Sequence, residues 1–299
     1  MDDAWSPEFP VDRDLAARLI GEQFPQLDTD TLTTLGVGWE HRVWRCEHVA
    51  FRFPQRRACL RSGLDGANAL ARLAPLLPLA TPEPLLTGAP TGDYPGNFVG
   101  YRWIDGELPA RLPLSLDDRA RAALPLAAFA RALHGVSAAR ARSWGLTLEG
   151  ERGSMSERAR RGRGRAEDLR RTAFTDLADR AAQAMAAPPP ECTPSERRVV
   201  HGDLHAGQVL FDRDHTLVGV IDWDSLALGD PAFDLIMASS FIPPSARSEF
   251  WNAYGDRAAE ARARHLALSY GLAILAQGVA TGDGAIRDEA ALSLENTLR

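Results

Sequence analysis

The stretch TLTTLGVGWEHRVWRCEHVAFRFP, residues 31–54, constrains the fold of this chain more than any other segment. Val49, Phe51 and Phe53 alternate with less apolar residues, which is typical of a strand with one buried face. Glycines interrupt the stretch once, and a second short turn separates its last two apolar segments. The sequence therefore predicts an antiparallel meander of strands in the N-terminal part of the protein.

Helical patterns dominate the rest of the chain. Apolar spacing and capping residues predict helices at 11–24, at 64–77, from Ser115 onward with a kink at Pro125, at 154–186, and over most of the segment after residue 240. One further strand is predicted in GNFVGYRWIDGE, residues 96–107. The pattern indicates an α+β protein with a sheet-rich part, residues 1–103, and a larger, mainly helical part, residues 104–299.

Composition excludes several classes of protein. The 299 residues, 45% of them hydrophobic, can bury a substantial core, and no apolar run approaches the ~18 residues that a membrane helix needs. The first residues, MDDAWSPEFPVDRD, lack the order of charged and apolar segments found in a secretory signal. We therefore expect a cytoplasmic protein that does not bind a membrane. The three cysteines are too scattered for a disulfide framework or a zinc knuckle.

The distribution of charge argues against nucleic acid as a partner. The net charge is -6, and the strongest basic run is SERARRGRGRAEDLRR, residues 156–171. This run could be an arm that binds nucleic acid, but acids interrupt it and it holds no aromatic residue for stacking on bases. A solvent-exposed helix face or a surface of the substrate-binding part is the favoured interpretation. All 34 basic side chains of the protein are arginines, because the sequence contains no lysine.

Residues 199–212, VVHGDLHAGQVLFD, concentrate chemically active side chains between two short apolar segments. Asp203 follows the first of them, and the pattern after it predicts a hairpin that brings Asp222 beside Asp203. Two carboxylates at strand ends suit a general base next to a divalent metal, and oxygen ligands favour magnesium. A metal cluster of a hydrolase, with His201 and His205 as ligands, is the competing interpretation. No other histidine stands in a paired ligand spacing, which makes the hydrolase less favoured.

The two blocks HGDLHAGQVLFD and GVIDWDSLALGDPAFDL together resemble the signature of the aminoglycoside phosphotransferase family. This family includes macrolide phosphotransferases and other small-molecule kinases with a protein-kinase-like fold. The resemblance extends more loosely through LGVGWEHRVW, FRFPQRR and FVGYRWIDGE, and covers most of residues 10–240. It implies a two-lobed protein with an antiparallel sheet in the N-lobe, a mainly helical C-lobe and a nucleotide in the cleft. The partners would be ATP or GTP and a small-molecule acceptor.

The resemblance assigns roles to three residues of these blocks. Asp203 would be the catalytic aspartate that accepts the proton of the acceptor hydroxyl, and Asp222 would bind Mg²⁺ and, through it, the phosphates. The kinase pattern has a metal-binding asparagine five residues after the catalytic aspartate, but this chain has Gln208. Glutamine carries the same amide oxygen on a side chain that is one methylene longer, so Gln208 is the second candidate ligand. His201 and His205 would brace the loop through hydrogen bonds.

Two features upstream would bind the phosphates of the nucleotide. Gly36 and Gly38 would form the turn over the phosphates, where small residues let backbone N–H groups approach an anion. Arg52 occupies the strand position of the phosphate-binding lysine, and arginine can bind phosphate through two hydrogen bonds. An arginine exposed on the strand is the alternative interpretation.

In the kinase pattern the strand lysine pairs with a helix glutamate. Between Arg52 and Pro82 the only acid is Asp65, so an ion pair between Arg52 and that helix must use Asp65 or not exist. The segment that resembles the hinge would hydrogen-bond a purine through the backbone of Arg102, Trp103 and Ile104.

Two groups of acids have both structural and functional interpretations. Asp230 and Asp234 would cap and anchor the helix that follows the second block. Glu107, Asp117 and Asp118 suit an amine-bearing antibiotic, and they equally suit the positive end of a helix.

The leading hypothesis is a kinase that transfers the γ-phosphoryl group of ATP or GTP to a hydroxyl of an antibiotic or an amino-bearing metabolite. The alternative is a non-catalytic, kinase-like protein that binds a nucleotide or another ligand. The missing lysine, Gln208 and the uncertain role of Asp65 motivate this alternative.

Overall fold

A computed structural model of the chain describes residues 7–37, 40–60, 62–148 and 154–299. Two compact units are present: one contains Met1–Pro75 and Thr81–Ile104, and the other contains Leu76–Ala80 and Asp105–Arg299. The first unit is built on an antiparallel sheet, and the second is mainly helical. The predicted α+β class, with an antiparallel sheet in the N-terminal part and a mainly helical C-terminal part, is confirmed.

A five-stranded antiparallel sheet forms the first unit, with the strand order β1-β2-β3-β5-β4. Its elements are α1 (Arg13–Gln23), β1 (Thr33–Val37), β2 (His41–Cys46), β3 (Val49–Pro54), α2 (Ser62–Leu73), β4 (Pro84–Gly88) and β5 (Phe98–Arg102). The meander β1-β2-β3 agrees with the pattern of residues 31–54. Sequence reasoning missed β4, because Pro84 opens it and proline is usually a signal against strand. Proline is tolerated here because Pro84 is the first residue of an edge strand.

Side chains alternate between the two faces of the sheet along β3, so its buried aromatic residues and a candidate functional residue lie on opposite faces. Phe51 and Phe53 are fully buried, and the ring of Phe53 stacks on that of Phe98 with the centroids 4.5 Å apart. Burying one such side chain stabilises a fold by roughly 1.5–3 kcal/mol. Arg52 lies between the two phenylalanines in the strand and therefore projects from the opposite face of the sheet.

The second unit contains helices and two short antiparallel strand pairs. Its helices are α3 (Leu116–Arg121), α4 (Ala123–His134), α5 (Ala138–Ser143), α6 (Met155–Asp168), α7 (Thr175–Ala184), α8 (Ala232–Leu235), α9 (Met237–Ser240), α10 (Arg247–Tyr254), α11 (Glu260–Thr281) and α12 (Gly284–Leu298). Its strands are β6 (Arg198–Val200), β7 (Val209–Phe211), β8 (Leu217–Val220) and β9 (Ala227–Gly229), paired as β6-β9 and β7-β8. The predicted hairpin corresponds to β7 and β8.

Two predicted helices are interrupted. The helix predicted from Ser115 divides at Ala122, because Pro125 has no N–H to donate to the carbonyl four residues earlier. The helix predicted at 154–186 divides into α6 and α7, with Thr172 accepting a hydrogen bond from the Phe174 N–H in the connection. The basic run 156–171 thus lies largely on α6, which agrees with the helix interpretation of that run.

Helix α11, with 22 residues, is the longest described element and packs against α6, α8, α9 and α12. Leu268, Leu272 and Leu275 place its apolar face in the buried core of the second unit. Even so, none of the helices described here combines the length and the apolar character needed to cross a membrane.

Candidate active site

The loop between β6 and β7 is held by a buried carboxylate from α8. The backbone N–H groups of His201 and Gly202 donate to the two oxygens of Asp234, each at 2.8 Å. Gly202 adopts a φ of 84°, a left-handed conformation that glycine reaches without a steric penalty. The Asp234 side chain is completely buried, so these two N–H groups satisfy a charge that water cannot reach.

The same carboxylate connects to two further side chains. His134 Nε2–H donates to Asp234 Oδ2 at 3.0 Å, and His134 Nδ1 lies 2.8 Å from the hydroxyl oxygen of Tyr254. With its Nε2 protonated, the imidazole accepts the Tyr254 O–H through Nδ1. These hydrogen bonds therefore connect Tyr254 on α10, His134 on α4 and Asp234 on α8 to the loop.

The expectation that Asp230 and Asp234 both cap a helix is half right. Asp230 accepts from the N–H of Ala232, the first residue of α8, at 3.0 Å and from Arg262 at 3.0 Å, so it anchors the start of α8. Asp234 lies inside α8, and its carboxylate accepts hydrogen bonds from the loop instead of from its own helix.

His201 braces the loop and has both ring nitrogens engaged. Its Nε2–H donates to the carbonyl oxygen of Ile221 at 2.9 Å, and its Nδ1 accepts from the Asp203 N–H at 3.3 Å. A fully buried imidazole with both nitrogens in hydrogen bonds is not available to a metal ion. The hydrolase interpretation therefore loses one of its two ligands, whereas the predicted bracing role agrees with the structure.

His205 turns back on its own loop. Its Nδ1 accepts from the Gly207 N–H at 3.0 Å, which places the ring proton on Nε2, 3.9 Å from Asp203 Oδ2. The ring packs so closely over Gly207 that a Cβ there would lie 2.7 Å from it. Burial lowers the pKa of His205 below that of a free imidazole, which favours the neutral ring.

Asp203 meets a tyrosine that sequence reasoning missed. The hydroxyl of Tyr270, on α11, donates to Asp203 Oδ1 at 2.9 Å, and 34% of the Asp203 side chain remains exposed. A carboxylate that is held at one oxygen and open to solvent can accept a proton from a bound molecule. The two residues are 67 positions apart, and Tyr270 stands in an ordinary helical pattern that gives no signal of this contact.

Gln208 and Asp222 lie together at the base of the β7-β8 hairpin. The Gln208 side-chain amide donates to Asp222 Oδ2 at 3.3 Å, and the Ile221 N–H donates to the Gln208 carbonyl at 2.9 Å. The longer side chain at position 208 thus still reaches the carboxylate. An amide and a carboxylate in contact supply oxygens of the kind that magnesium prefers, so the residues present fit that ion. Asp222 has a φ of 64°, an uncommon backbone conformation for a residue other than glycine.

The structure describes two of the candidate phosphate-binding residues of the first unit, Gly36 and Arg52. Gly36 pairs with Val43 in the β1-β2 ladder, and Gly38 lies outside the described residues. Arg52 Nη2 donates to His41 Nδ1 at 3.3 Å, a partner that sequence reasoning did not single out. The side chain of Asp65 is outside the described part of the structure, so a pairing with Arg52 stays a prediction.

The segment that resembles a hinge has two of its three N–H groups engaged. The N–H of Arg102 donates to the Glu83 carbonyl, and that of Trp103 donates to the His48 carbonyl, both at 2.8 Å. Among the described residues, the N–H of Ile104 donates to no backbone carbonyl. The guanidinium of Arg45 lies 4.3 Å from the centre of the Trp103 ring and holds this ring in place.

One of the acids considered for binding an amine has a structural role. Asp118 and Ser115 form a capping box at the start of α3, and His215 Nδ1 lies 3.1 Å from the Asp118 carboxylate. Hydrogen bonds from Ser115 hold the pKa of Asp118 far below its usual value. The interpretation as helix N-terminal charge therefore agrees with the structure for Asp118.

Comparison with known proteins identifies the family. The model of the phosphotransferase enzyme family (APH) matches residues 31–267, well over half of the chain. The chain belongs to this family. The resemblance seen in the sequence is thereby confirmed. In contrast, comparison with curated protein sequences found no significant match.

Solved structures of other phosphotransferases share the fold. The GDP and kanamycin complex of APH(2")-IIia is 22% identical, with a TM-score of 0.63, and covers 94% of this chain and 97% of that one. Macrolide 2'-phosphotransferase MphH from Brachybacterium faecium, as the apoenzyme, is 25% identical, with a TM-score of 0.59 and coverages of 95% and 98%. The streptomycin-ATP-APH(2")-IIa ternary complex is 16% identical, with a TM-score of 0.55 and coverages of 96% and 96%. This phosphotransferase thus has the fold of aminoglycoside and macrolide phosphotransferases over nearly its whole length.

Proposed function

We propose that this protein transfers the γ-phosphoryl group of ATP or GTP to a hydroxyl group of a small molecule, an antibiotic or an amino-bearing metabolite. One observation carries the proposal. Asp203 is partly exposed and held at one oxygen by Tyr270, and the loop that contains it also contains Gln208, which contacts Asp222. Within the phosphotransferase family, this arrangement supports a general base beside a metal-binding pair.

Asp203 would act on the acceptor. As the acceptor oxygen bonds to the γ-phosphorus, the bond to the β–γ bridging oxygen breaks and the nucleoside diphosphate leaves. The hydroxyl proton passes to the Asp203 carboxylate. The backbone of the loop keeps the carboxylate in place during this transfer. Asp234 accepts from the N–H of His201, and His201 in turn accepts from the N–H of Asp203.

Other residues would bind the nucleotide and the metal. Relatives of similar fold were solved with GDP and kanamycin and with ATP and streptomycin, which supports a nucleotide and a small acceptor as partners. Mg²⁺, held by Asp222 and Gln208, would neutralise charge on the phosphates. Residues 1–103 would supply the groups that bind the nucleotide, and residues 104–299 the catalytic and acceptor-binding groups. We place its action in the cytoplasm, where the proposed nucleotide substrates would be available.

A transfer assay tests the proposed function. The protein is incubated with labelled ATP or GTP, with and without magnesium, and with panels of aminoglycosides, macrolides and simple amino alcohols. We expect labelled acceptor to form in at least one panel and only when magnesium is present. Nucleotide binding in a thermal-shift measurement, with no magnesium-dependent transfer to any acceptor, would favour the non-catalytic alternative.

Substitution of Gln208 tests its assignment as a metal ligand. Gln208→Asn should keep turnover within about tenfold, a barrier change of ~1.4 kcal/mol or less, because the amide oxygen is retained. Gln208→Leu should cost more, because the polar group is lost. Turnover measured against magnesium concentration gives both values. Gln183→Leu, the same change at an exposed position of α7, is the matched control. If Gln208→Leu matches the parent protein, Gln208 does not bind the metal.

Substitution of Arg52 tests its assignment to the phosphates. Arg52→Ala should raise the KM for ATP by about 10- to 150-fold, since a hydrogen bond to a charged group contributes ~1.5–3 kcal/mol. Adenosine, which lacks phosphates, should bind as before. Inhibition constants for adenosine and KM values for ATP give the comparison. Arg18→Ala, which removes an exposed arginine of α1 that pairs with Asp93, is the control. Equal weakening for adenosine and ATP would mean that Arg52 acts through the fold.

A further inference from the structure

We infer that Tyr270 is a positioning residue for phosphoryl transfer: its hydroxyl holds Asp203 Oδ1 so that Oδ2 is presented to the acceptor hydroxyl. The inference rests on the proposed function, because it assigns a task to the residue that contacts the proposed base. Neither the two sequence blocks nor the residues considered for nucleotide and metal binding include Tyr270.

The contacts of Asp203 distinguish its two carboxylate oxygens. Oδ1 accepts from the Tyr270 O–H at 2.9 Å, which is a good hydrogen-bond length. Oδ2 lies 3.9 Å from His205 Nε2, which is beyond a hydrogen bond. The backbone is fixed separately, since the Asp203 N–H donates to His201 Nδ1. Rotation of the carboxylate is therefore limited by the hydroxyl at Oδ1, and Oδ2 is the oxygen left for the proton of the acceptor.

The helix that carries Tyr270 is suited to hold a group in place. Leu268 and Leu272, on either side of Tyr270 in α11, are buried in the core of the second unit. The phenol reaches Asp203 from this helix with only two rotatable side-chain bonds, and its ring lies 6.0 Å from that of His205, centre to centre. Tyr270 is itself only partly buried. Its hydroxyl thus acts on Asp203 from a rigid element outside the loop.

A hydrogen bond donated to the base has two opposing effects. In general, such a bond stabilises the ionised form of a carboxylate, which opposes proton transfer to it. It also keeps the accepting oxygen aligned with the acceptor, and misalignment of a reacting group is costly. The structure favours alignment as the larger effect, because Asp203 is one-third exposed and Tyr270 is its described side-chain hydrogen-bond partner from another element. Loss of the hydroxyl should therefore slow the reaction.

A double-mutant cycle separates positioning from a merely structural role. Tyr270→Phe should lower kcat by about tenfold and leave the KM for the nucleotide within about twofold, because only the hydroxyl is removed. In the Asp203→Asn background, where no base remains to be aligned, Tyr270→Phe should change kcat by less than about twofold. Steady-state kinetics of the parent, the two single variants and the double variant, with an acceptor found in the transfer assay, give the four values.

Controls make each outcome decisive. Ser269→Ala, at the neighbouring position of α11, should leave kcat unchanged, and thermal unfolding should show that Tyr270→Phe and Ser269→Ala are folded at the assay temperature. An equal loss from Tyr270→Phe in both backgrounds, or a change confined to a KM, would overturn the inference and leave the proposed function standing. A parent protein that transfers phosphate to no acceptor would overturn the proposed function and this inference with it.

Discussion

Asparagine in place of Asp203 is expected to lower turnover by about 100-fold or more, because a positioned general base typically contributes that much. The amide has nearly the shape of the carboxylate, and its oxygen can still accept the Tyr270 hydroxyl, so the fold and the affinity for nucleotide should persist. It cannot take up the proton of the acceptor hydroxyl under the assay conditions. Turnover is measured in the transfer assay, and nucleotide affinity is measured by calorimetry.

Asp212→Asn is the matched control for this substitution. Asp212 accepts hydrogen bonds from the N–H groups of Asp214 and Thr216 in the turn of the β7-β8 hairpin, nine positions after Asp203. The same chemical change at this turn should leave turnover within about twofold. If Asp203→Asn and Asp212→Asn have the same rate as the parent protein, Asp203 has no part in the mechanism.

Local patterns made the β1-β2-β3 meander and the β7-β8 hairpin predictable. The meander of residues 31–54 follows from the alternation of side chains, and the β7-β8 hairpin follows from two apolar runs joined by the turn residues DRDHT. The hairpin register then places Asp222 near Gln208. Val209 pairs with Val220, and Gln208 and Asp222 lie just outside this pair. These contacts lie within a few tens of residues of each other, so the sequence contains most of the information about them.

Contacts between distant helices could not be predicted. Tyr270 and Asp203 are 67 positions apart, and His134 and Asp234 are 100 positions apart. Tyr270 and His134 lie in segments whose apolar spacing already explains a helix, so no pattern marks them as partners of Asp203 and Asp234. Which helix face meets the loop depends on how α4, α8, α10 and α11 pack, and this packing depends on the whole core.

Position 208 shows how a departure from a family pattern can be compatible with its chemistry. Glutamine there suggested either an adjusted metal site or a lost one. The side chain does contact Asp222, and the backbone of Gln208 is tied to Ile221 at the same point. The geometry keeps the Gln208 side chain beside Asp222, and its assignment as a metal ligand stays a prediction.

Removal of the Asp234 carboxylate should cause the largest loss of stability among the changes considered. Asp234→Ala leaves the N–H groups of His201 and Gly202 and the Nε2–H of His134 without their acceptor in a buried region. A buried donor left without an acceptor costs ~1–3 kcal/mol, so the three donors together make a loss of ~3–5 kcal/mol reasonable, a large fraction of the ~5–15 kcal/mol by which proteins are stable. The free energy of unfolding, measured by urea denaturation with a fluorescence readout, should fall by about this amount.

Asp234→Asn separates the charge from the shape. The amide oxygen can still accept from one backbone N–H, but the amide nitrogen would then face donors at the position of the other oxygen. We therefore expect a loss of ~2–3 kcal/mol, smaller than that of Asp234→Ala but well above that of a surface change. Asp288→Asn, at an acid on α12 that is largely exposed, should stay within ~0.5 kcal/mol of the parent protein and is the control. If Asp234→Asn unfolds at the same urea concentration as Asp288→Asn, the carboxylate is not what holds the loop. Otherwise the same variant should also show reduced turnover, because the N–H groups that Asp234 holds belong to the two residues that precede Asp203.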